Sequence, residues 1–154
     1  MESSRPNSFK QIYDPIRKIW VLADPEEIVR QTLIQKMIHC LGFPAELLAV
    51  EVDLNSLSHI TTKAPDRRAD LICFAKGIHP SYPLYPLLLI ECKRGKASKK
   101  ALDQLIGYNY FVKAPFIAIA DSEEIITKSC TRQDSPDRRF IPMYQDLLLE
   151  AMHS

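Results

Sequence analysis

Long apolar runs are missing from this chain, and no stretch of its 154 residues reaches transmembrane length. The start, Met1-Glu2-Ser3-Ser4-Arg5-Pro6, has no hydrophobic segment of the kind a secretory signal needs. These absences predict a cytoplasmic protein with no membrane partner. A surplus of one charge is missing too. Twenty Lys and Arg against 19 Asp and Glu give a formal net charge of +1, which argues against a polycation that coats nucleic acid in bulk. A local basic patch is left to look for. The four cysteines, Cys40, Cys73, Cys92 and Cys130, lack CxxC spacing, and no histidine stands at zinc-ligand spacing from them. Neither a zinc site nor a disulfide framework is expected. Three of the four sit among apolar neighbours, where cysteine packs as a small hydrophobe. Internal repeats and low-complexity segments are absent. What remains, 46% hydrophobic and 25% charged residues, suits one globular domain large enough for a core without staples.

Residues 1–8 are polar and expected to be poorly ordered. Phe9 to Leu22 is apolar but broken at Asp14-Pro15, and Lys18 to Leu22 reads as a short strand. A helix start follows. Asp24 suits the N-cap, Pro25 the first helical position, and Glu27 completes a capping box. Ile28, Leu33, Ile34, Met37, Ile38 and Leu41 keep a helical stripe until Gly42 and Pro44 close it. Leu47 to Leu54, interrupted by Glu51 and Asp53, alternates like a strand with one wet face. Ser58 to Ala64 reads as a loop or short edge strand, Arg67 to Ala75 as a core strand, and the proline-rich stretch 77–86 as a turn. Leu87 to Lys93 is the next strand. Ser98 can cap a helix running to about Lys113, Pro115 stops it, and Phe116 to Ala120 is a further strand. Residues 128–139 read as a loop and Ile141 to Met152 as a closing helix. The order predicts one α/β domain with a mixed central sheet flanked by helices.

The strand Leu87-Leu88-Leu89-Ile90-Glu91-Cys92-Lys93 carries the chemistry. Four consecutive aliphatic residues imply burial on both faces, and an acid and a base two residues apart then emerge together while Cys92 points away. A solvated strand end with a weak salt bridge is the plain alternative. Charged groups so close to a core need partners, however, and a hard divalent cation is an efficient one. Asp70, leading into Leu71-Ile72-Cys73-Phe74, either ends an apolar run in solvent or supplies a second carboxylate to that ion. Glu27 is either the capping-box acid or a carboxylate offered to a metal-bound water. Arg30 and Gln31, three and four residues on, share its region of the helix and could reach a phosphate. Gln104 and Tyr108 form an i,i+4 pair on the second helix and could line the same cleft. Arg68, beside Asp70, is a further candidate nucleic-acid contact. Lys93, Arg94, Lys96, Lys99 and Lys100 put five cations into eight residues at a helix start, where the dipole disfavours them, so phosphate binding is the natural reading. Cys92 is read as a packing side chain, and the scattered histidines are given no role.

Together these segments resemble the PD-(D/E)xK nuclease superfamily. More narrowly, they resemble the N-terminal nuclease domain of type I restriction enzyme R subunits and its small stand-alone relatives. The matching stretches are Pro25-Glu26-Glu27-Ile28-Val29-Arg30-Gln31, Arg68-Ala69-Asp70-Leu71-Ile72, Leu88-Leu89-Ile90-Glu91-Cys92-Lys93 and Gln104-Leu105-Ile106-Gly107-Tyr108, spanning about residues 18–120. The resemblance implies a restriction-endonuclease-like αβββαβ core. It implies Mg²⁺, with Mn²⁺ as a substitute, on Asp70, Glu91 and the Cys92 backbone carbonyl. Lys93 would position or activate the attacking water, Glu27 would act through metal-bound water, and Gln104 and Tyr108 would lie beside the DNA strand. Ala69 stands where a proline often precedes the first acid. No GxxxxGK[ST] loop is present, so an ATP-driven motor is not expected.

The expected function is therefore Mg²⁺-dependent hydrolysis of DNA phosphodiester bonds by an isolated nuclease module with weak sequence specificity, with a protein partner or a homodimer left open. A nuclease-like fold that binds nucleic acid or a partner without cutting is the competing reading. RNA is the competing substrate.

Overall fold

A computed structural model of the chain describes residues 10–153, so the expectation for residues 1–8 lies outside the described residues. Five strands form the central sheet in the order β3-β4-β5-β6-β7: β3 (Leu48–Asp53), β4 (Arg68–Lys76), β5 (Leu84–Cys92), β6 (Phe116–Ala120) and β7 (Ile125–Ser129). All neighbours are antiparallel except β5 and β6, which are joined by the crossover helix α2 (Lys99–Val112). Helices α1 (Pro25–Cys40) and α3 (Tyr144–Met152) cover one face and α2 the other. The molecule is thus a three-layer α/β fold with a restriction-endonuclease-like αβββαβ core. Among the described residues no helix is long and apolar enough to cross a membrane.

Local chemistry explains most boundaries. Asp24 caps α1 by accepting the Glu27 N–H at 2.9 Å, with Pro25 in the first turn. Gly42, at φ +74°, takes the left-handed position that ends the helix. Ser98 caps α2 by accepting from the Ala101 N–H. Leu87, Leu88, Leu89 and Ile90 are all buried, as four aliphatic residues in a row require of a central strand.

Four expectations need correction. A strand, β1 (Gln11–Asp14), precedes the expected one at β2 (Ile19–Leu22), and the two form a separate antiparallel hairpin around Pro15. β5 begins at Leu84 inside the stretch read as a turn. Pro86 is accommodated there because the register slips between Cys73–Leu88 and Phe74–Pro86, leaving Leu87 as a bulge. That bulge buries consecutive Leu87 and Leu88 in the same cluster. β7 occupies residues given no strand, held by pairing to β6 rather than by its own pattern. Finally, α3 starts at Tyr144, three residues later than Ile141.

Candidate active site

The chemistry-bearing residues collect where β4 begins, β5 ends, and α1 and α2 start. On α1, the three- and four-residue spacings place Arg30 and Gln31 on Glu27 itself. The Glu27 carboxylate is buried and accepts from Arg30 Nη2 at 2.6 Å, Arg30 Nε at 3.0 Å, Gln31 Nε2 at 3.0 Å and Arg17 Nη2 at 2.9 Å. Burial works to raise its pKa, but these donors overcome it and hold the group at about 2. Glu27 is therefore a fixed anion. The capping box is only half formed, because its carboxylate is spent on the arginines. Arg17 is itself gripped by buried Asp14, which ties the hairpin to α1.

Arg30 continues the network towards the sheet. Its Nη1 donates to the Asp70 backbone carbonyl at 3.3 Å and to Glu51 Oε2 at 3.4 Å, and lies 3.8 Å from Asp70 Oδ1. The structure thus turns Arg30 and Gln31 inward, both buried, rather than towards solvent and a phosphate. Glu51 was not singled out from the sequence. It adopts φ +57°, a left-handed conformation costing a non-glycine residue about 1–2 kcal/mol, and this aims its carboxylate at Arg30 and Arg68.

The same distortion sets Asp70. Val50 and Leu71 pack on the α1 side, whereas Val52 and Ala69, the next pair across, pack on the α2 side. Alternation fails at Glu51 and Asp70, between those pairs. Asp70 lies one step beyond the last β4–β5 pair, Leu71–Ile90, and its Oδ2 accepts the Cys92 N–H at 2.8 Å in place of a strand carbonyl. Burial first, and then the charge of Glu91, push the Asp70 carboxyl up to about 6. It is a carboxylate whose surroundings disfavour its charge, beside a second one.

Glu91 faces the α2 side. Its Oε2 accepts from Arg67 Nη2 at 2.7 Å and lies 3.9 Å from Lys93 Nζ. Arg67 also donates to the Tyr108 hydroxyl at 3.3 Å, and its guanidinium stacks over the Tyr108 ring at 3.9 Å. Tyr108 therefore reaches Glu91 through Arg67, a residue that sequence reasoning passed over in favour of its neighbour Arg68. Gln104, four residues before Tyr108, lines a cavity of about 330 Å³ with Lys93, Arg94, Lys96 and Lys100. Lys99 stays exposed at the start of α2. Arg68 is exposed beside Glu51. Cys92 is buried, and burial first, then the charge of Asp70, raises its thiol pKa, so it is a packing group and no nucleophile.

A second cleft, about 370 Å³, is lined by Asp70, Cys92, Glu27, Arg30 and Glu51 together with Leu22 of the hairpin. A larger cavity of about 660 Å³ at the other end of the sheet, by Tyr85, Lys113 and Cys130, holds none of these residues. Among the described residues no three acidic, histidine or cysteine side chains converge as a ready metal cage. Mg²⁺ does not need one: it is commonly held by one or two carboxylates plus water and substrate phosphates. Asp70 and Glu91, at the level of one another past the Leu71–Ile90 pair, supply carboxylate oxygens of the kind such an ion takes.

A family model for the type I restriction enzyme R protein N terminus matches residues 25–142, which includes Glu27, Arg30, Gln31, Glu51, Arg67, Asp70, Glu91, Lys93, Gln104 and Tyr108 but not Asp14, Arg17 and Leu22. No curated protein and no solved structure matches the chain.

Proposed function

We propose that this chain, which belongs to the family of type I restriction enzyme R protein N termini, is a Mg²⁺-dependent nuclease that hydrolyses DNA phosphodiester bonds. The observation that carries the reading is the placement of Asp70 one step past the Leu71–Ile90 pair, at the level of Glu91 and bonded to the Cys92 N–H, with the Lys93 ammonium 3.9 Å from Glu91. Asp70, Glu91 and the Cys92 carbonyl would hold the ion, which when bound supplies charge neutralisation at the phosphoryl group and acidification of a water. Glu91 first has to leave Arg67. The planar guanidinium stacked on Tyr108 matches a phosphate as well as a carboxylate, so an incoming strand can take Arg67 and release Glu91. Lys93 orients the attacking water and stabilises charge developing on the phosphate. Arg94, Lys96, Lys99 and Lys100 hold the strand backbone, with Gln104 among them. Glu27 and Arg30 set the position of Asp70 rather than touching the strand.

The Arg67–Glu91 pair also favours a second reading, a module that binds nucleic acid without cutting it, because one proposed ligand is already satisfied. Incubation of supercoiled DNA, linear DNA and RNA with Mg²⁺, Mn²⁺ or EDTA separates the two. Metal-dependent cleavage of DNA that is lost in Glu91→Ala and Lys93→Ala supports the nuclease. Cleavage at undiminished rate in either variant overturns the mechanism, and binding without cleavage in every metal establishes the second reading.

A further inference from the structure

The β1–β2 hairpin presents a face that nothing in the described molecule covers. Its strands pair only with each other, and the Asp14–Arg17–Glu27 chain ties them to α1. Tyr13 and Trp20 are direct cross-strand partners with rings edge to face at 5.5 Å, yet they remain 46% and 63% exposed. Gln11 and Leu22, the pair two positions along on the same face, are exposed as well. Leu22 ends this row and also lines the 370 Å³ cleft beside Asp70 and Glu27. The aromatic face therefore runs to the cleft that holds Asp70.

Charge narrows the choice of occupant. Lys10 and Lys18, at the two ends of the hairpin, are exposed and have no ion-pair partner among the described residues. The only acid between them, Asp14, is buried and bound to Arg17. Two exposed aromatic rings on a hairpin that carries an exposed, unpaired lysine at each end suit a strand that offers flat bases and phosphates together. An apolar protein surface would leave the lysines without a role, and a blunt duplex keeps its bases stacked inside.

We propose that the Tyr13–Trp20 face is a stacking platform for unpaired bases, which guides single-stranded or frayed nucleic acid past Leu22 into the cleft. The inference rests on the reading that nucleic acid is the substrate. Trp20 is the single tryptophan of the chain, so its fluorescence reports directly on stacking. The test titrates the full chain, in EDTA to prevent cleavage, with a single-stranded oligonucleotide, a blunt duplex and a duplex carrying a single-stranded tail. Expected is quenching by the single strand and the tailed duplex and little by the blunt one. In anisotropy titrations with the labelled strand, Trp20→Ala weakens single-strand binding by about tenfold while Trp20→Phe keeps most of it. Wild-type quenching does not depend on any variant folding. Oligonucleotides that bind in EDTA with unchanged tryptophan emission and undiminished binding by Trp20→Ala, and that are cut once Mg²⁺ is added, overturn the platform and leave the nuclease standing. Absence of binding to every oligonucleotide in EDTA overturns the platform, and cleavage after addition of Mg²⁺ decides the nuclease separately. A dimer in sedimentation that needs Trp20, without quenching by any strand, assigns the face to a second copy of the chain and also overturns the platform.

Discussion

Replacing Asp70 by asparagine is expected to stabilise the metal-free protein while destroying the site. The carboxyl is raised from its ordinary 3.8 to about 6 by burial and by Glu91, so the folded protein holds this proton more tightly than the unfolded chain. Stability therefore falls as pH rises between those two values, and the full cost is present above pH 6. At 1.36 kcal/mol per pKa unit the gap corresponds to roughly 3 kcal/mol, and screening of the quarter of the side chain in water reduces it to about 2 kcal/mol. Asparagine is close to isosteric and keeps an oxygen for the Cys92 N–H. Urea denaturation of both proteins in EDTA checks the argument. Asp70→Asn should exceed wild type by about 2 kcal/mol at pH 7.5, and the difference should shrink towards zero near pH 4. Added Mg²⁺ should then stabilise wild type alone. A variant less stable than wild type at pH 7.5, or a difference independent of pH, refutes the electrostatic reasoning.

Other perturbations read neighbouring parts of the network. Arg67→Ala frees Glu91 from its 2.7 Å partner, so Mn²⁺ affinity measured by calorimetry should rise several-fold while DNA cleavage falls. Arg30→Ala leaves Glu27 buried without its main donor and should cost about 3–5 kcal/mol in chemical denaturation. Glu27→Gln should lower stability at pH 7. Because the native Glu27 pKa is depressed from 4.5 to about 2, that difference should persist down to about pH 4.5 and vanish as pH falls through 2.

The features legible in the sequence are those written in local patterns. The run Leu87–Ile90 announced a buried strand, and the caps at Asp24 and Ser98 set two helix starts because each rests on hydrogen bonds three residues long. β1 and β7 escaped notice because five residues or fewer, with polar members, become strands only through pairing with a neighbour. Helical spacing correctly grouped Glu27, Arg30 and Gln31, but it carries no information on which side of that group faces the sheet. Arg67 was hidden for a related reason. Its partners Glu91 and Tyr108 lie 24 and 41 residues away, and adjacent Arg68 looked equivalent until the fold separated them. The left-handed Glu51 has no counterpart in sequence pattern, since a glutamate in a strand ordinarily signals only a wet face.

That Asp70 and Glu91 together hold a divalent ion is tested most directly by calorimetric titration of the DNA-free protein with Mn²⁺ up to millimolar concentration. One ion per chain, bound by wild type and lost in both Asp70→Asn and Glu91→Gln, is the predicted result. No binding in wild type, or binding that either variant leaves unchanged, contradicts it.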